Sequence, residues 1–438
     1  MPLRLILFIV VLLAAILTGR VVIRDFVGQA LIAYGESAET RAAAVRYAPH
    51  NAEVLAARGR YLLYRAEPVQ PAQAVAELQR AVAASPRDYR FHLELGRAYE
   101  ISGELPQAEQ ALQRAVELSP RYFESRWALA NLRLRAGKDE LAMDDFRAVL
   151  TLSGGFGLPP NGAAAASAYS ALTQALGPNL EVLKKITPAD ALSQTYLAEF
   201  LAGQQGQAGL DAALDLWRRL PPGDAHAWRR LTFLLLAYTE GRSRFSDESE
   251  LWHSLLRREG LESAFTESGN LMTNGGFEQA PVSERFQPYD GAQAGFDWVF
   301  ATPHPQVRAR RDDAVAHSGA QSLHLTFNAP MRAEFQGVSQ LIAVEPARQY
   351  RLTFQVKTER LPEGGPFIEL RDAVQPTLFA LQAAAPGGTN DWRQVTLSFT
   401  TPATTRALRL LIRSPQLTGF SASSPGELWL DDFRLEAQ

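Results

Sequence analysis

The chain has 438 residues, of which 46% are hydrophobic, with a formal net charge of −3 and no cysteine. Its length exceeds what one hydrophobic core usually organises, so two or three domains are expected. The near-neutral charge excludes the basic excess of a nucleic-acid-binding chain, and the missing cysteines exclude disulfides, thiolate chemistry and cysteine-ligated zinc.

Residues from Leu3 to Ile23 are apolar apart from Arg4, Thr18, Gly19 and Arg20, with an uninterrupted run from Leu5 to Leu17. A bilayer span takes about 20 apolar residues, whereas a cleavable signal takes about 7–15. No small-x-small cleavage site follows Ala14 and Ala15 before Ile16 and Leu17. Residues 1–25 are therefore expected to be an uncleaved transmembrane helix, with Arg20 reaching back to the interface, and a cleaved signal is the alternative. Charge does not decide its orientation, because Arg4 stands at one end while Arg20 and Arg24 stand at the other.

Helical periodicity follows. From Tyr89 onward, Leu95, Gly96, Tyr99, Ala108, Leu112, Ala115 and Pro120 alternate small and large residues as two closely crossed antiparallel helices require. This pattern resembles the tetratricopeptide repeat, a helical hairpin of about 34 residues. A shift of one repeat length reaches Leu129, Ala130, Ala142, Phe146 and Val149, and the opposite shift reaches Ala74, Leu78, Ala81 and Pro86. The segment from Ala38 to Tyr47 reads as a worn half-repeat. Residues 26–153 are thus expected to form a repeat solenoid. The resemblance implies a concave wall built from the first helix of each pair, carrying Arg90, Leu93, Arg97, Glu100, Glu124, Trp127, Asn131 and Leu134. Such a groove suits an extended peptide from a partner protein, with Arg90, Arg97, Trp127 and Asn131 as its contacts; the alternative is that Trp127 packs between repeats.

Residues 154–268 read as degenerate helical repeats. Helical segments near Asp190–Leu201, Leu210–Leu220, His226–Thr239 and Asp247–Glu259 alternate with glycine and proline turns. The Gly154-Gly155-Phe156-Gly157 cluster lacks the Gly-Lys-Ser/Thr ending of a phosphate loop.

From 269 to 438 the period changes to two. Leu323, Leu325 and Phe327 alternate, as do Tyr350, Leu352, Phe354 and Val356, then Val395, Leu397 and Phe399, then Leu408, Leu410 and Ile412. Short alternating strands between Gly, Pro, Asn and Ser runs predict an all-β jelly-roll sandwich. Its opening, Asn270-Leu-Met-Thr-Asn-Gly-Gly-Phe-Glu278, and its ending, Leu428-Trp-Leu-Asp-Asp-Phe-Arg-Leu435, resemble the first and last strands of carbohydrate-binding modules of families 4 and 9. Ser318-Gly-Ala-Gln-Ser-Leu323 resembles the turn between them. The resemblance implies a structural Ca²⁺ held by Glu278, by Asp431 or Asp432, and by main-chain oxygens near Gly276 and Gln321, with Asp431 preferred because an alternating strand aims only one of the two at a site; the alternative is a pair of solvated edge charges. It also implies sugar contacts, for which Trp298, Trp392, Phe335 and Arg308 are the candidates; Trp298 shares its alternating face with Phe296 and Phe300, which is equally a core pattern.

No catalytic constellation is present in the sequence. The seven histidines are scattered, and neither H-E-x-x-H nor G-x-S-x-G occurs. The expectation is a multidomain, non-enzymatic protein: a transmembrane helix, an all-α solenoid and a β-sandwich. It would be a single-pass protein of a bacterial inner membrane with both soluble parts in the periplasm. Its partners would be a protein in the groove and a polysaccharide, in the synthesis, export or anchoring of an envelope glycan. The alternatives are a purely protein-binding scaffold and an accessory subunit of a secreted hydrolase.

Overall fold

The computed structural model describes residues 2–152, 162–204, 206–220, 225–286, 295–300, 304–328, 334–415 and 425–438, the side chains of residues 2–7 and 283 excepted. The Gly154-Gly155-Phe156-Gly157 cluster and the Pro221-Pro222-Gly223 turn lie outside them. Two compact units divide the chain, Met1–Phe200 and Leu201–Gln438. This division falls inside the segment read as degenerate repeats, rather than at 153 or 268.

In the first unit α1 (Pro2–Tyr34) and α2 (Ala38–Tyr47) are followed by α3 (Ala52–Tyr64) with α4 (Pro71–Ala84), α5 (Tyr89–Ile101) with α6 (Leu105–Leu118), and α7 (Phe123–Arg135) with α8 (Asp139–Leu152). Helix starts are set locally. The Asn51 side chain accepts from the amides of Glu53 and Val54, the Asp88 carboxylate accepts from the Arg90 amide, and Pro71 opens α4, where a missing N–H does no harm. Ala74, Leu78, Ala81, Ala108, Leu112, Ala115, Leu129, Ala130, Ala142, Phe146 and Val149 are all fully buried, as the repeat pattern predicts. The crossings are close. A Cβ on Gly96 would lie 2.6 Å from Leu112 Cγ, and one on Gly59 would lie 2.6 Å from Leu78 Cγ. Gly96→Val is accordingly expected to lower the stability of this unit by about 1–3 kcal/mol through overpacking, read from urea unfolding.

The half-repeat expected at Ala38–Tyr47 is half of a whole pair. Its partner is the C-terminal part of α1: a Cβ on Gly28 would stand 2.6 Å from the Ala48 Cβ, and Leu31 and Ile32 pack with Ala44, Ala48 and Val54. The Arg24 guanidinium donates to the carbonyls of Arg46 (2.9 Å) and Tyr47 (3.1 Å), and Arg41 donates to the Ile32 carbonyl at 2.8 Å. Further toward its N-terminus, α1 carries Phe8, Ile9, Val10, Val11, Leu12, Leu13, Ile16, Leu17, Val21, Val22 and Ile23, all at least 47% exposed. Among the described residues, no helix is long and apolar enough to cross a membrane. The segment expected as a transmembrane helix over residues 1–25 is helical from Pro2 as part of α1.

The rest of this unit is α9 (Gly162–Leu176), α10 (Leu180–Ile186) and most of α11 (Ala191–Ala202). In the second unit α12 (Gln207–Arg219), α13 (Ala225–Gly241) and α14 (Phe245–Arg258) precede a sandwich of two five-stranded sheets. One sheet runs β1 (Val299–Phe300), β4 (Phe335–Ala343), β9 (Ala407–Ser414), β6 (Phe367–Asp372), β7 (Ala380–Ala384); the other runs β2 (Val307–Asp312), β3 (Ser322–Phe327), β10 (Gly426–Ala437), β5 (Gln349–Leu361), β8 (Gly388–Thr400). Every pairing is antiparallel. Leu323, Leu325, Phe327, Tyr350, Leu352, Phe354, Val356, Leu408, Leu410 and Ile412 join one core between the sheets, as their alternation requires.

The opening motif is a turn rather than the first strand. It hooks into a bulge of β10, where the register shifts between Asp431 and Arg434. The Phe433 amide donates to the Gly275 carbonyl, the Leu435 amide to the Asn270 side chain, and the Asn270 amide group to the Phe433 carbonyl, each at 3.0 Å. Glycine is required at 275, since a Cβ there would come within 2.1 Å of the Phe433 carbonyl oxygen.

The outer face of the first sheet is partly covered. Leu341 and Leu411 point away from the core yet are only 2% and 5% exposed, and Arg409 beside them pairs with Glu240 of α13 at 2.6 Å. Helices read from sequence as the end of a solenoid therefore pack on the sandwich.

Candidate functional site

The repeat wall carries its charges in pairs. Arg90 reaches Asp88 and Glu53 at 2.6 Å, Arg97 reaches Glu94 and Glu124 at 3.5 Å, and Arg135 pairs with Glu100. Several of these pairs join one helical hairpin to the next. Exposed pairs of this kind contribute at most about 1 kcal/mol each, so an incoming charged segment can replace a partner at little cost. Trp127 is half-buried, stacked on Phe123 at 5.8 Å and set edge-on to Phe146 at 5.5 Å, while the Asn131 amide donates to the Trp127 carbonyl at 2.8 Å. Leu93 and Leu134 are buried. The open part of the expected groove is therefore Arg90, Arg97, Glu100 and Glu124; Trp127 and Asn131 are engaged in holding the wall together.

The sandwich brings its two end motifs to one place. A cavity of about 500 Å³ is lined by Asn270, Asn274, Gly276, Glu278, Ser318 and Asp432, among others. A Cβ built on Gly276 would lie within 4 Å of Asp431 Oδ1, Glu278 Cγ and Asp432 Oδ1, so the three carboxylates do converge. Their oxygens, however, face donors. Glu278 accepts from the amides of Ala320 (2.9 Å) and Gln321 (3.1 Å), and Asp431 from those of His317 (2.8 Å) and Ser318 (3.2 Å); Asp432 meets His317 Nδ1 and the Ser318 hydroxyl at 2.5 Å. Burial pushes the Asp431 carboxyl up to about 6, with Asp432 adding to it and the amides opposing. Among the described residues, no three His, Cys, Asp or Glu are placed to hold a metal ion. These bonds to the carboxylates fasten the 317–321 turn, through Asp431 and Asp432 to β10 and through Glu278 to the opening motif. The calcium implied by the resemblance is tested by EDTA: a fall of several degrees in melting temperature shows the ion, and an unchanged value removes it.

Two of the four sugar-contact candidates lie in the core. Trp298 is 2% exposed, donates its indole N–H to the Asn274 carbonyl at 2.9 Å and packs on Phe277 and Phe433. Phe335 is 3% exposed among the same core residues. Arg308 is exposed and Trp392 is half-buried beside His317, but they belong to β2 and β8, the two edges of one sheet. Four strand spacings of about 4.8 Å keep these edges some 19 Å apart. They form no common site.

A different face collects the right chemistry. On the outside of the first sheet, Arg413 lies over the Phe367 ring at 5.7 Å and pairs with Glu369 at 2.8 Å; Gln382 donates to Glu369 at 2.9 Å, and Arg371 stands 3.6 Å from it. Burial alone would raise the Glu369 carboxyl, but hydrogen bonds from Arg413 and Gln382 outweigh it and hold it below the usual range. A partly open ring beside an amide and two guanidinium groups, which the buried Glu369 carboxylate holds in place, can stack on one face of a pyranose and bond its hydroxyls. The Phe367-x-Glu369-x-Arg371 alternation was open to reading in the sequence; Arg413 joins only through the sheet order.

The tetratricopeptide repeat family model matches residues 70–122 and 102–155, so the helices from α4 to α8 are tetratricopeptide repeats. A comparison with curated proteins gave no match. Among solved structures, the MamA protein is 21% identical over 38% of this chain and 87% of that one, with a TM-score of 0.31. Family 16 Carbohydrate Binding Module-2 is 16% identical over 38% of this chain and 99% of that one, TM-score 0.26. The enzymatically active domain of tailspike protein 4 of bacteriophage CBA120 is 14% identical over 39% of this chain and only 22% of that one, TM-score 0.29.

Proposed function

We propose that the chain is a membrane-attached scaffold that engages a protein partner through its tetratricopeptide repeats and offers its β-sandwich to a glycan. The observation that carries the reading is α1, in which an apolar, exposed half runs without a break into the first wall of the repeat stack. Side chains apolar on every side of a helix are stable in lipid or under a cover, not in water. In this reading the membrane is a bacterial inner membrane and both units lie on its periplasmic side. The protein partner lies along Arg90, Arg97, Glu100 and Glu124, and the glycan on Phe367, Gln382 and Arg413. A part in synthesis, export or anchoring of an envelope polysaccharide rests on the pairing of these domains, and no catalytic step is assigned.

A second reading has its own support. With Trp298 and Phe335 in the core and Leu341 and Leu411 already covered, the sandwich can serve as packing for the helices before it, leaving all recognition to the repeats. An array of bacterial polysaccharides probed with the full chain in neutral detergent separates the two. The first reading expects retention of one polysaccharide class, weakened about tenfold or more by Phe367→Ala at an unchanged melting temperature. Silence from folded protein leaves the second.

A further inference from the structure

We infer that the cavity between α1, α2 and α3 is a binding site for a phosphate group, carried by a lipid headgroup or a soluble ester. The cavity, about 380 Å³, is lined by Ile32, Glu36, Arg41, Arg60, Tyr64 and Arg65, with Tyr61 and Ala57 behind them. Three guanidinium groups thus face one space against a single carboxylate. Elsewhere on the repeat wall the arginines are paired, as Arg90 and Arg97 are. Here Arg60 and Arg65 make no ion pair among the described residues, although Arg60 is half-buried. Arg41 donates from Nη1 to the Ile32 carbonyl, and its buried Nε has no hydrogen-bond partner. That Nε is closed to solvent, and it is the rest of the guanidinium, held by the Ile32 carbonyl, that lines the cavity. Guanidinium forks match tetrahedral phosphate oxygens in pairs, and the exposed Tyr64 adds a hydroxyl donor at the rim. The volume lies at the small end of the range that ligand cavities occupy, sufficient for a headgroup or a small ester.

The position favours a lipid source. Ile32 belongs to the same continuous helix as the exposed apolar run that ends at Ile23, nine residues earlier, or about 14 Å of helix. A phosphate site on that wall would couple the apolar half of α1 to the first repeat, so that a bound headgroup orders the end of the groove nearest the bilayer. This goes beyond the scaffold reading and holds for a soluble ester even without it.

The test is calorimetric titration of the full chain in dodecyl maltoside with dioctanoyl phosphatidylglycerol, glycerol 3-phosphate, inorganic phosphate and an acidic peptide free of phosphate. The expected result is one saturable site for a phosphate compound, weakened about tenfold or more in the Arg60→Gln/Arg65→Gln double variant and unchanged in Arg114→Gln, whose arginine pairs with Glu117 away from the cavity. Tighter binding of phosphatidylglycerol than of glycerol 3-phosphate identifies the headgroup as the source; equal binding identifies the soluble ester. The inference is overturned if no phosphate compound binds, if the double variant binds as well as the parent, or if the acidic peptide binds more tightly than all of them.

Discussion

Trp298→Ala is expected to cost the sandwich about 3–5 kcal/mol, the penalty for emptying a large aromatic site in a core that cannot collapse to fill it. The indole sits with Phe277 at 4.6 Å and Phe433 at 5.3 Å, and Phe433 stacks in turn on Phe354 at 4.9 Å. Its N–H also holds the Asn274 carbonyl, inside the turn that hooks into β10. Asn274 has a φ of 50° and Phe277 one of 58°, left-handed conformations that only surrounding contacts can maintain. Truncation therefore removes both the core contact and the clamp on a strained turn, and near-ultraviolet dichroism of the sandwich should be lost at a lower denaturant concentration. Phe367→Ala is the contrast, expected to stay within about 1 kcal/mol because its ring is already partly open to water. A Trp298→Ala protein as stable as its parent would move that ring out of the core.

The second large effect is a stability that falls with pH. Glu248 on α14 is fully buried, and burial, with Glu240 next, pushes its carboxyl up to about 8, while Arg409 pulls the other way. The ordinary value is 4.5, so between 4.5 and 8 the folded chain holds a proton that the unfolded chain has released. The contribution is complete below about 4.5 and is lost as pH rises toward 8, at up to about 1.4 kcal/mol per pH unit. Asp297 and Asp431, both raised to about 6 by burial, add to the slope only at lower pH. Glu248→Gln keeps the shape of the protonated acid and removes its titration. The variant should match the parent near pH 5 and exceed its urea midpoint at pH 8; equal midpoints at both pH values would show that Glu248 is not buried in solution.

What the sequence revealed follows from which forces are local. Gly96, Leu112 and Ala108 announce a close helical crossing because small and large residues must interlock, and this requirement survives in any context. The strands of the sandwich were equally plain, since one buried face imposes a period of two. The first repeat helix was hidden because Gly28, Leu31 and Ile32 continue an apolar helix whose periodicity is masked by the residues before them. Phe296-Asp-Trp-Val-Phe300 reads the same for a sugar platform and for a core strand, and only the position of Phe277 and Phe433 decides. The end motifs did identify three carboxylates that meet. That their oxygens accept from amides of the 317–321 turn depends on the path of that turn, which spacing does not encode. Nothing in the sequence marks Glu248 as buried, because its burial arises only from packing within the second unit.

Vesicle flotation tests the central claim most directly. The full chain, diluted from detergent into liposomes of phosphatidylcholine and phosphatidylglycerol, is expected to float with the lipid and to resist extraction at high salt and alkaline pH. A chain lacking residues 2–23 should remain at the bottom of the gradient with the unfolding transition of its repeats unchanged. If the full chain stays at the bottom, or the shortened chain floats equally well, α1 is not what attaches the scaffold to a membrane.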